Sequence, residues 1–350
     1  MMPPLVSILM PAYNAEQFLA ETLASARAQT WPRTEIIVVV DDGSKDNTLA
    51  VAKQFAAKNI SVVTRPHQRA AAARNEAFAI CQGDFVMWLD ADDLLSPDKI
   101  ARQVAAAEKC DDRRMLLSCG WGFFNYRTSK AKFHPTSLWC DLSPQAWLIR
   151  KMGSGSHMQP GTWLARRETV EAAGNWDAGI LVDEDGEYIN RLVLASSAIK
   201  FVPEAKVFYR VAGAGSYTRR VLFFADERWH SMKLQYAQLR SLGDSEPVRK
   251  ACVDFLQEWL PFYYPHRPDI VAEAQQMAAA VGGKLETPRL RPKYAWIEKF
   301  LGYEKARRAQ FVLPQIRGRV ARGWDKAMLD WESWRGGGAD SISTMKRSNE

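Results

Sequence analysis

The chain has 350 residues, 47% of them hydrophobic and 25% charged. That balance supports one or two domains around a large core, and it excludes wholesale disorder, a collagen-like fibre and a small disulfide scaffold. No run reaches the roughly 18–20 uninterrupted apolar residues of a membrane span, and the first residues lack the basic n-region and long apolar stretch of a signal peptide. Five scattered cysteines without a C-x-x-C pair argue against a zinc ribbon or redox dithiol and fit reduced thiols in a cytosol. The net charge of +7 is concentrated in one place. Between Lys284 and Lys326 twelve Lys and Arg face four Asp and Glu, so the basic character belongs to a C-terminal region.

In chain order, Leu5–Met10 is a short apolar run ended by Pro11 and reads as a buried strand. Asn14 is placed to cap the next helix, with Gln17 at the capping-box position and Phe18, Leu19, Thr22, Leu23 and Ala26 at helical spacing. Glu35–Val40 is an unbroken β-branched strand of the kind buried on both faces in a parallel sheet. Asp41–Ser44 is a turn, Lys45–Lys58 a helix, Ile60–Thr64 a strand, and Ala70–Cys81 an Ala-rich helix ended by Gly83. Asp84–Leu89 is a fourth strand running into Asp90-Ala-Asp-Asp93. Ser96-Pro97 then supplies an N-cap and an N1 proline for a helix to about Lys109. Strands are expected near 116–119, 162–165 and 200–202, and helices near 144–151 and 186–195, with a flexible loop at 152–158. From Arg219 the pattern is helical. The alternation predicts an α/β fold with a mostly parallel sheet flanked by helices and a helical C-terminal extension.

In such sheets ligands bind beyond the carboxyl ends of strands, and there the polar clusters fall. Three carboxylates in four residues, Asp90, Asp92 and Asp93, repel one another unless a divalent cation neutralises them. Asp93 also suits an acidic first turn. Asp41 and Asp42 end the second strand, where a carboxylate can accept hydrogen bonds from a base or ribose or bond its own turn.

Val6–Asn14, Val40–Thr48, Ala73–Ala77 and Gly83–Asp93 resemble, in order and spacing, the inverting nucleotide-sugar glycosyltransferases of family two, which have the GT-A fold. The resemblance extends over roughly the first 215 residues. It implies that Pro11, Ala12, Tyr13 and Asn14 line the nucleotide pocket, that Asp42 or Asp41 bonds the base, and that Arg74 approaches the nucleotide. It implies further that Asp90 meets ribose or metal and that Asp92 meets metal, either Mg2+ or Mn2+. The donor implied is a nucleotide-diphosphate sugar, most often of UDP. Glu184-Asp185 falls on the family's Glu-Asp pair, with Asp185 as base and Glu184 second to it. Arg191 falls on a later arginine of that motif. A sugar hydroxyl attacking the anomeric carbon must lose its proton, and a carboxylate within hydrogen-bond reach can accept it. Gln159 and Trp163 match a segment that contacts donor or acceptor, His157 sits in a loop able to close over the donor, and Arg210 could pair with diphosphate.

The expected acceptor is a glycan or glycolipid of surface polysaccharide or lipopolysaccharide synthesis. Nucleic acid is not expected as a partner, and the oligomeric state is left open. The expected organisation is a transferase domain over 1–217, divided at 115/116 into nucleotide and acceptor halves. A helical basic region over 218–335 and a disordered tail over 336–350 follow. Aromatics mixed with Arg307, Arg308, Arg317, Arg319 and Arg322 suit peripheral contact with an anionic membrane, placing the protein in the cytoplasm at the inner membrane face. Pro314 and two glycines argue against one long helix there. Rival readings fit the sequence less well. A nucleotidyltransferase would carry a glycine-rich, lysine-bearing loop after the first strand, which Pro11–Asn14 lacks. A catalytically silent sugar-nucleotide scaffold would have no need of both acidic pairs.

Overall fold

The computed structural model describes residues 2–211 and 224–335. The 217/218 boundary and the 336–350 tail lie outside them. The elements in chain order are β1 (Val6–Ala12), α1 (Leu19–Arg27), β2 (Thr34–Asp41), α2 (Thr48–Gln54), β3 (Ile60–Arg65), α3 (Arg69–Ile80), β4 (Phe85–Trp88), β5 (Leu94–Leu95) and α4 (Lys99–Glu108). Then come β6 (Met115–Phe124), β7 (Lys132–Phe133), α5 (Pro144–Ser154), β8 (Ala165–Arg166), α6 (Arg167–Ala173), α7 (Glu184–Ala195) and β9 (Ala198–Arg210). The helices α8 (Ala225–Arg240), α9 (Glu246–Tyr263), α10 (Pro268–Ala279), α11 (Ala295–Leu301) and α12 (Tyr303–Arg335) close the described chain.

The chain divides into two compact units. The first holds residues up to Gly122, Phe133–Tyr209 and the segment ending at Glu286, and the second holds Phe123–Lys132, Arg210 onward and Thr287 onward. In the first unit an open sheet runs β3-β2-β1-β4-β8. Its first four strands are parallel and β8 is antiparallel. Ile36–Asp41 of β2 are all buried, as the β-branched run requires of a strand covered on both faces. The chain reverses its direction of travel across the sheet between β3 and β4, so the crevice at the carboxyl ends of β1 and β4 is the switch point where such sheets bind ligands.

Gly83 sets the entry to β4. A Cβ there would collide with the backbone nitrogen and hydroxyl of Ser7 and with the Phe85 carbonyl. Its own N–H donates to Ser7 Oγ at 2.8 Å.

A second sheet runs β5-β9-β6-β7. β5 and β9 pair antiparallel, Leu94 against Phe208 and Leu95 against Val207, and one more step of that register sets Tyr209 beside Asp93. β9 is thirteen residues long, far longer than the 200–202 segment its local pattern suggests, because pairing on both sides sustains it. Helices α8, α9 and α10 belong to the first unit and pack on α5, α7 and one another, so that unit continues well past residue 217.

Two capping expectations are corrected. α1 begins at Leu19 without a side-chain cap, and Asn14 Oδ1 instead accepts the Lys45 N–H at 2.7 Å. α4 begins at Lys99 without a side-chain cap, while Ser96 Oγ accepts the Lys206 N–H at 3.2 Å. In both cases a tertiary partner outcompetes the local one.

In the second unit α12 is one helix of 33 residues with Pro314 inside it, which corrects the expectation of a break there. Asp325 on this helix is buried. It accepts from Arg127 Nε at 2.7 Å and from the Tyr126 N–H at 2.9 Å, and Glu332 accepts a second Arg127 nitrogen at 2.6 Å.

Candidate active site

The end of β4, helices α3 and α5 and the first turn of α7 supply the acidic and cationic groups of one neighbourhood. Its centre is Arg74, the sixth residue of α3, whose side chain is 5% exposed. The guanidinium donates to Asp90 Oδ1 at 2.8 Å and to Glu184 Oε1 at 3.2 Å. Its plane also lies 4.4 Å from the ring centre of Trp176, and Trp176 stacks on Tyr188 at 3.9 Å. Burial works against the Arg74 charge, but Asp90, Glu184 and Asp185 more than offset it and raise its pKa. The next residue, Asn75, fixes the platform: its side chain accepts the Trp176 N–H and donates to the Trp176 carbonyl, both at 2.8 Å. The Arg-Asn pair of the third motif therefore does two jobs, one with each side chain. A single arginine fork joins residues 90 and 184, which the chain separates widely.

Four acids crowd the start of α7, and their partners differ. Glu187 is clamped by Arg191 at 2.7 and 2.8 Å and by Gln238 at 2.7 Å. Asp183, the N-cap residue, sits in the left-handed region at φ 62° and accepts from Gln235 Nε2 at 2.6 Å. Burial and the neighbouring Asp185 push its carboxyl up to about 6. Glu184 is held by Arg74, and burial still raises its pKa against that cation. Asp185 has no hydrogen bond or ion pair to a described residue.

Beneath this turn lies Lys151 of α5, which is buried. Its ammonium donates to the Gly186 carbonyl at 2.9 Å, Asn190 Oδ1 at 2.6 Å and Gln235 Oε1 at 3.1 Å. Burial pulls its pKa down to about 8 against the opposing pull of Asp183, Asp185 and Glu187.

The Asp90–Asp93 run belongs to the same neighbourhood. Burial raises the Tyr209 phenol, and the charges of Asp93, Asp92, Asp90 and Asp185 all push it further in that direction. Asp93 is buried while Asp90 and Asp92 are half-buried. Among the described residues no group of three or more His, Cys, Asp or Glu is gathered to ligate a metal. The donors present are hard carboxylate oxygens in a crowded anionic site. A divalent cation there would take one or two of them, from Asp92 and Asp90, and complete its shell with phosphate oxygens and water, which fits Mg2+ or Mn2+.

The base-pocket candidates lie at the ends of β1 and β2. Asp41 is buried and accepts the Gly43 N–H at 2.9 Å. Both its oxygens lie 2.8 Å from His67 Nδ1, whereas Asp42 is exposed. Tyr13 is 48% exposed, its ring 5.2 Å from that of His67. Pro11 is half-buried and Ala12 buried. Asn14, at φ 47°, ties the loop after β1 to the loop after β2.

Other expected contacts fall elsewhere. Trp163 is fully buried and packs edge-on against Trp147 at 5.5 Å, so it is a core residue, which corrects its reading as a sugar contact. Gln159 is buried at the head of a short 3-10 turn over Pro160–Thr162. His157 is exposed, 5.1 Å from the Trp121 ring. Arg210 belongs to the second unit, over the Phe124 ring at 4.4 Å. Sequence reasoning missed Trp176, Lys151, His67 and Gln235. Of these only His67 carries a local signal, its place just after a strand end.

The family model described as glycosyl transferase family 2 matches residues 7–171. That segment belongs to glycosyl transferase family 2. An uncharacterised glycosyltransferase of Rickettsia typhi is 35% identical over 130 residues, 37% of this chain and 40% of that protein. The Escherichia coli UDP-Glc:alpha-D-GlcNAc-diphosphoundecaprenol beta-1,3-glucosyltransferase WfgD is 37% identical over 102 residues, 29% of this chain and 40% of that protein. The matches thus span about two fifths of these curated relatives. Beyond the family-2 segment the similarity is one of fold. The structure of S. aureus TarS 1-349 in complex with UDP has a TM-score of 0.57 at 18% identity, covering 95% of this chain and 92% of that one. The mannosyltransferase PcManGT from Pyrobaculum calidifontis, in complex with GDP-Man and Mn2+, has 0.54 at 20%, covering 93% and 89%.

Proposed function

We propose that this protein transfers a sugar, with inversion, from a nucleotide-diphosphate donor to an acceptor hydroxyl, and that the donor is a UDP-sugar. The observation that carries the reading is the Arg74 bridge. It draws the β4-end carboxylate Asp90 to Glu184 and leaves the adjacent Asp185 without a hydrogen-bond partner among the described residues. In this reading Pro11, Ala12, Tyr13, Asn14 and the Asp41–Asp42 turn receive the nucleotide, with His67 orienting Asp41. Asp92 and Asp90 would hold a divalent cation, which would supply charge neutralisation at the diphosphate. Asp185 accepts the proton of the attacking hydroxyl, and Glu184, fixed by Arg74, orients that turn. Lys151 holds the turn from below. Gln159 is a candidate for sugar contact.

The acceptor class is a glycan or glycolipid of surface polysaccharide or lipopolysaccharide synthesis, met in the cytoplasm at the membrane face. Among the described helices none is long and apolar enough to cross a membrane. The test is calorimetric titration of UDP-, GDP- and dTDP-sugars with and without Mn2+, on the wild type and on Asp92→Ala. Metal-dependent binding of a UDP-sugar that is lost in Asp92→Ala supports the reading. Absence of binding by the folded protein to all three refutes it. Metal-dependent binding without hydrolysis or transfer points to the silent scaffold instead.

A further inference from the structure

The second unit carries a feature that donor chemistry does not use. Of the large hydrophobic side chains exposed among the described residues, ten of fourteen lie between Trp296 and Trp334. On α12 six of them, Leu313, Ile316, Val320, Trp324, Trp331 and Trp334, recur at intervals of three, four and seven residues. At 3.6 residues per turn they fall within a stripe about 80° wide and roughly 32 Å long. Asp325 and Glu332, which tie the helix to Arg127, lie roughly 120–140° around from the middle of that stripe. The helix is thus anchored by one face and presents the apolar stripe on another. Trp296 is 62% exposed and Phe300 75% exposed, one turn apart on α11 of the same unit.

Charge decides what covers this surface. α12 holds eight Lys and Arg against four Asp and Glu, and two of those acids are turned to Arg127. Arg317 and Arg319 fall on opposite flanks of the stripe. Indoles flanked by guanidiniums match the headgroup level of an anionic bilayer, where the ring enters the interface and the cation meets phosphate. A coiled-coil seam with a second copy fits less well. A continuous a/d register holds only from Val320 to Trp334 before Arg317 takes the preceding a position, and a stable seam needs about three to four heptads.

We propose that α11 and α12 form a peripheral docking surface for anionic phospholipid. The proposal deepens the reading of a membrane-facing acceptor, but its deciding readout, vesicle binding, needs neither donor nor acceptor. The full chain is mixed with vesicles of phosphatidylcholine alone or equimolar with phosphatidylglycerol, and bound protein is measured by flotation and by tryptophan emission. Binding to the anionic vesicles at least about tenfold above the neutral ones is expected, falling severalfold between about 0.1 and 0.5 M salt. The triple variant Val320→Ser/Trp324→Ser/Trp331→Ser changes only exposed side chains, and it should lose the binding while keeping the circular dichroism and donor affinity of the wild type. Arg317→Glu/Arg319→Glu should lose the anionic preference. Equal binding to both vesicles, undiminished binding of the triple variant, or a stripe-dependent dimer in sedimentation velocity without vesicle binding would each overturn the proposal. Failure of donor binding alone would count against the transferase reading and leave this one standing.

Discussion

Replacing Arg74 by alanine tests whether the site is held by electrostatics or by packing. The substitution strands two carboxylates, Asp90 and Glu184, whose side chains are 29% and 21% exposed, and removes a cation from the face of Trp176. Breaking a fully buried pair costs about 3–5 kcal/mol. The partial exposure of both partners puts this case near the lower bound, and the lost cation–π contact adds about 1 kcal/mol. A destabilisation of about 3–4 kcal/mol is therefore expected, measured by urea unfolding at pH 7. Much of it is the cost of uncompensated negative charge, so it should shrink when Glu184→Gln is already present. A double-mutant cycle should return a coupling of about 1–2 kcal/mol between the two sites. Arg74→Lys keeps the charge but not the fork. One ammonium cannot span both carboxylates in this geometry, so lysine should recover less than half of the loss. A coupling within about 0.5 kcal/mol of zero would show that Arg74 acts through packing on Trp176, and the account of the bridge would fall.

Other outcomes follow from single groups. Asp183 has a folded pKa of about 6 against an ordinary value of 3.8, so the folded state binds the extra proton between those values. Stability should fall as pH rises from about 4 to 6, by an amount on the order of 3 kcal/mol, and Asp183→Asn, which tolerates the left-handed backbone, should flatten that slope in pH-resolved unfolding. Lys99 is fully buried against Met87 and Trp163, with its pKa pulled down to about 8 by burial. Its cost is complete below pH 8 and is relieved as pH climbs toward 10.5. Lys99→Met should therefore stabilise the protein by up to about 3 kcal/mol at pH 7 and remove its share of the alkaline gain, as read by thermal melts across that range. Gly83→Ala forces a methyl onto Ser7 and the Phe85 carbonyl, and should lower the urea midpoint by an amount equivalent to about 2 kcal/mol or more. Asp185→Asn should leave donor binding within about twofold while depressing turnover by about two orders of magnitude or more. Equal losses in both would move the base elsewhere.

The parallel sheet was legible because its signal is local. β2 is a β-branched run that only a doubly covered strand accommodates, and the polar clusters at Tyr13–Asn14, Asp41–Asp42 and Asp90–Asp93 each lie at a strand end or within a few residues after it. The strand-end placement of Tyr13, Asp41 and Asp90 came from that alternation alone. Caps were less legible. Asn14 and Ser96 have the right chemistry for a helix start, but each met a better partner from another loop or strand. Trp163 shows the same gap for aromatics: a tryptophan next to a motif reads alike whether it faces a sugar or Trp147, and only its complete burial separates the two. Pro314 shows it for helices, since the sequence carries the local penalty for a helix-interior proline but not the Arg127 clamp on the far half of α12.

By itself the sequence determined the strand–helix alternation of roughly the first 110 residues, the family-2 motifs and the concentration of positive charge toward the C-terminus, because each depends on residues close together along the chain. Tertiary structure alone decided which acid of the 183–187 cluster is left without a hydrogen-bond partner among the described residues, which tryptophan lies under Arg74, and which face of α12 meets solvent. Those outcomes depend on contacts between residues separated by up to two hundred positions, such as Arg74 with Glu184 and Arg127 with Asp325. Local periodicity carries no information about such pairs until the chain has closed around its core.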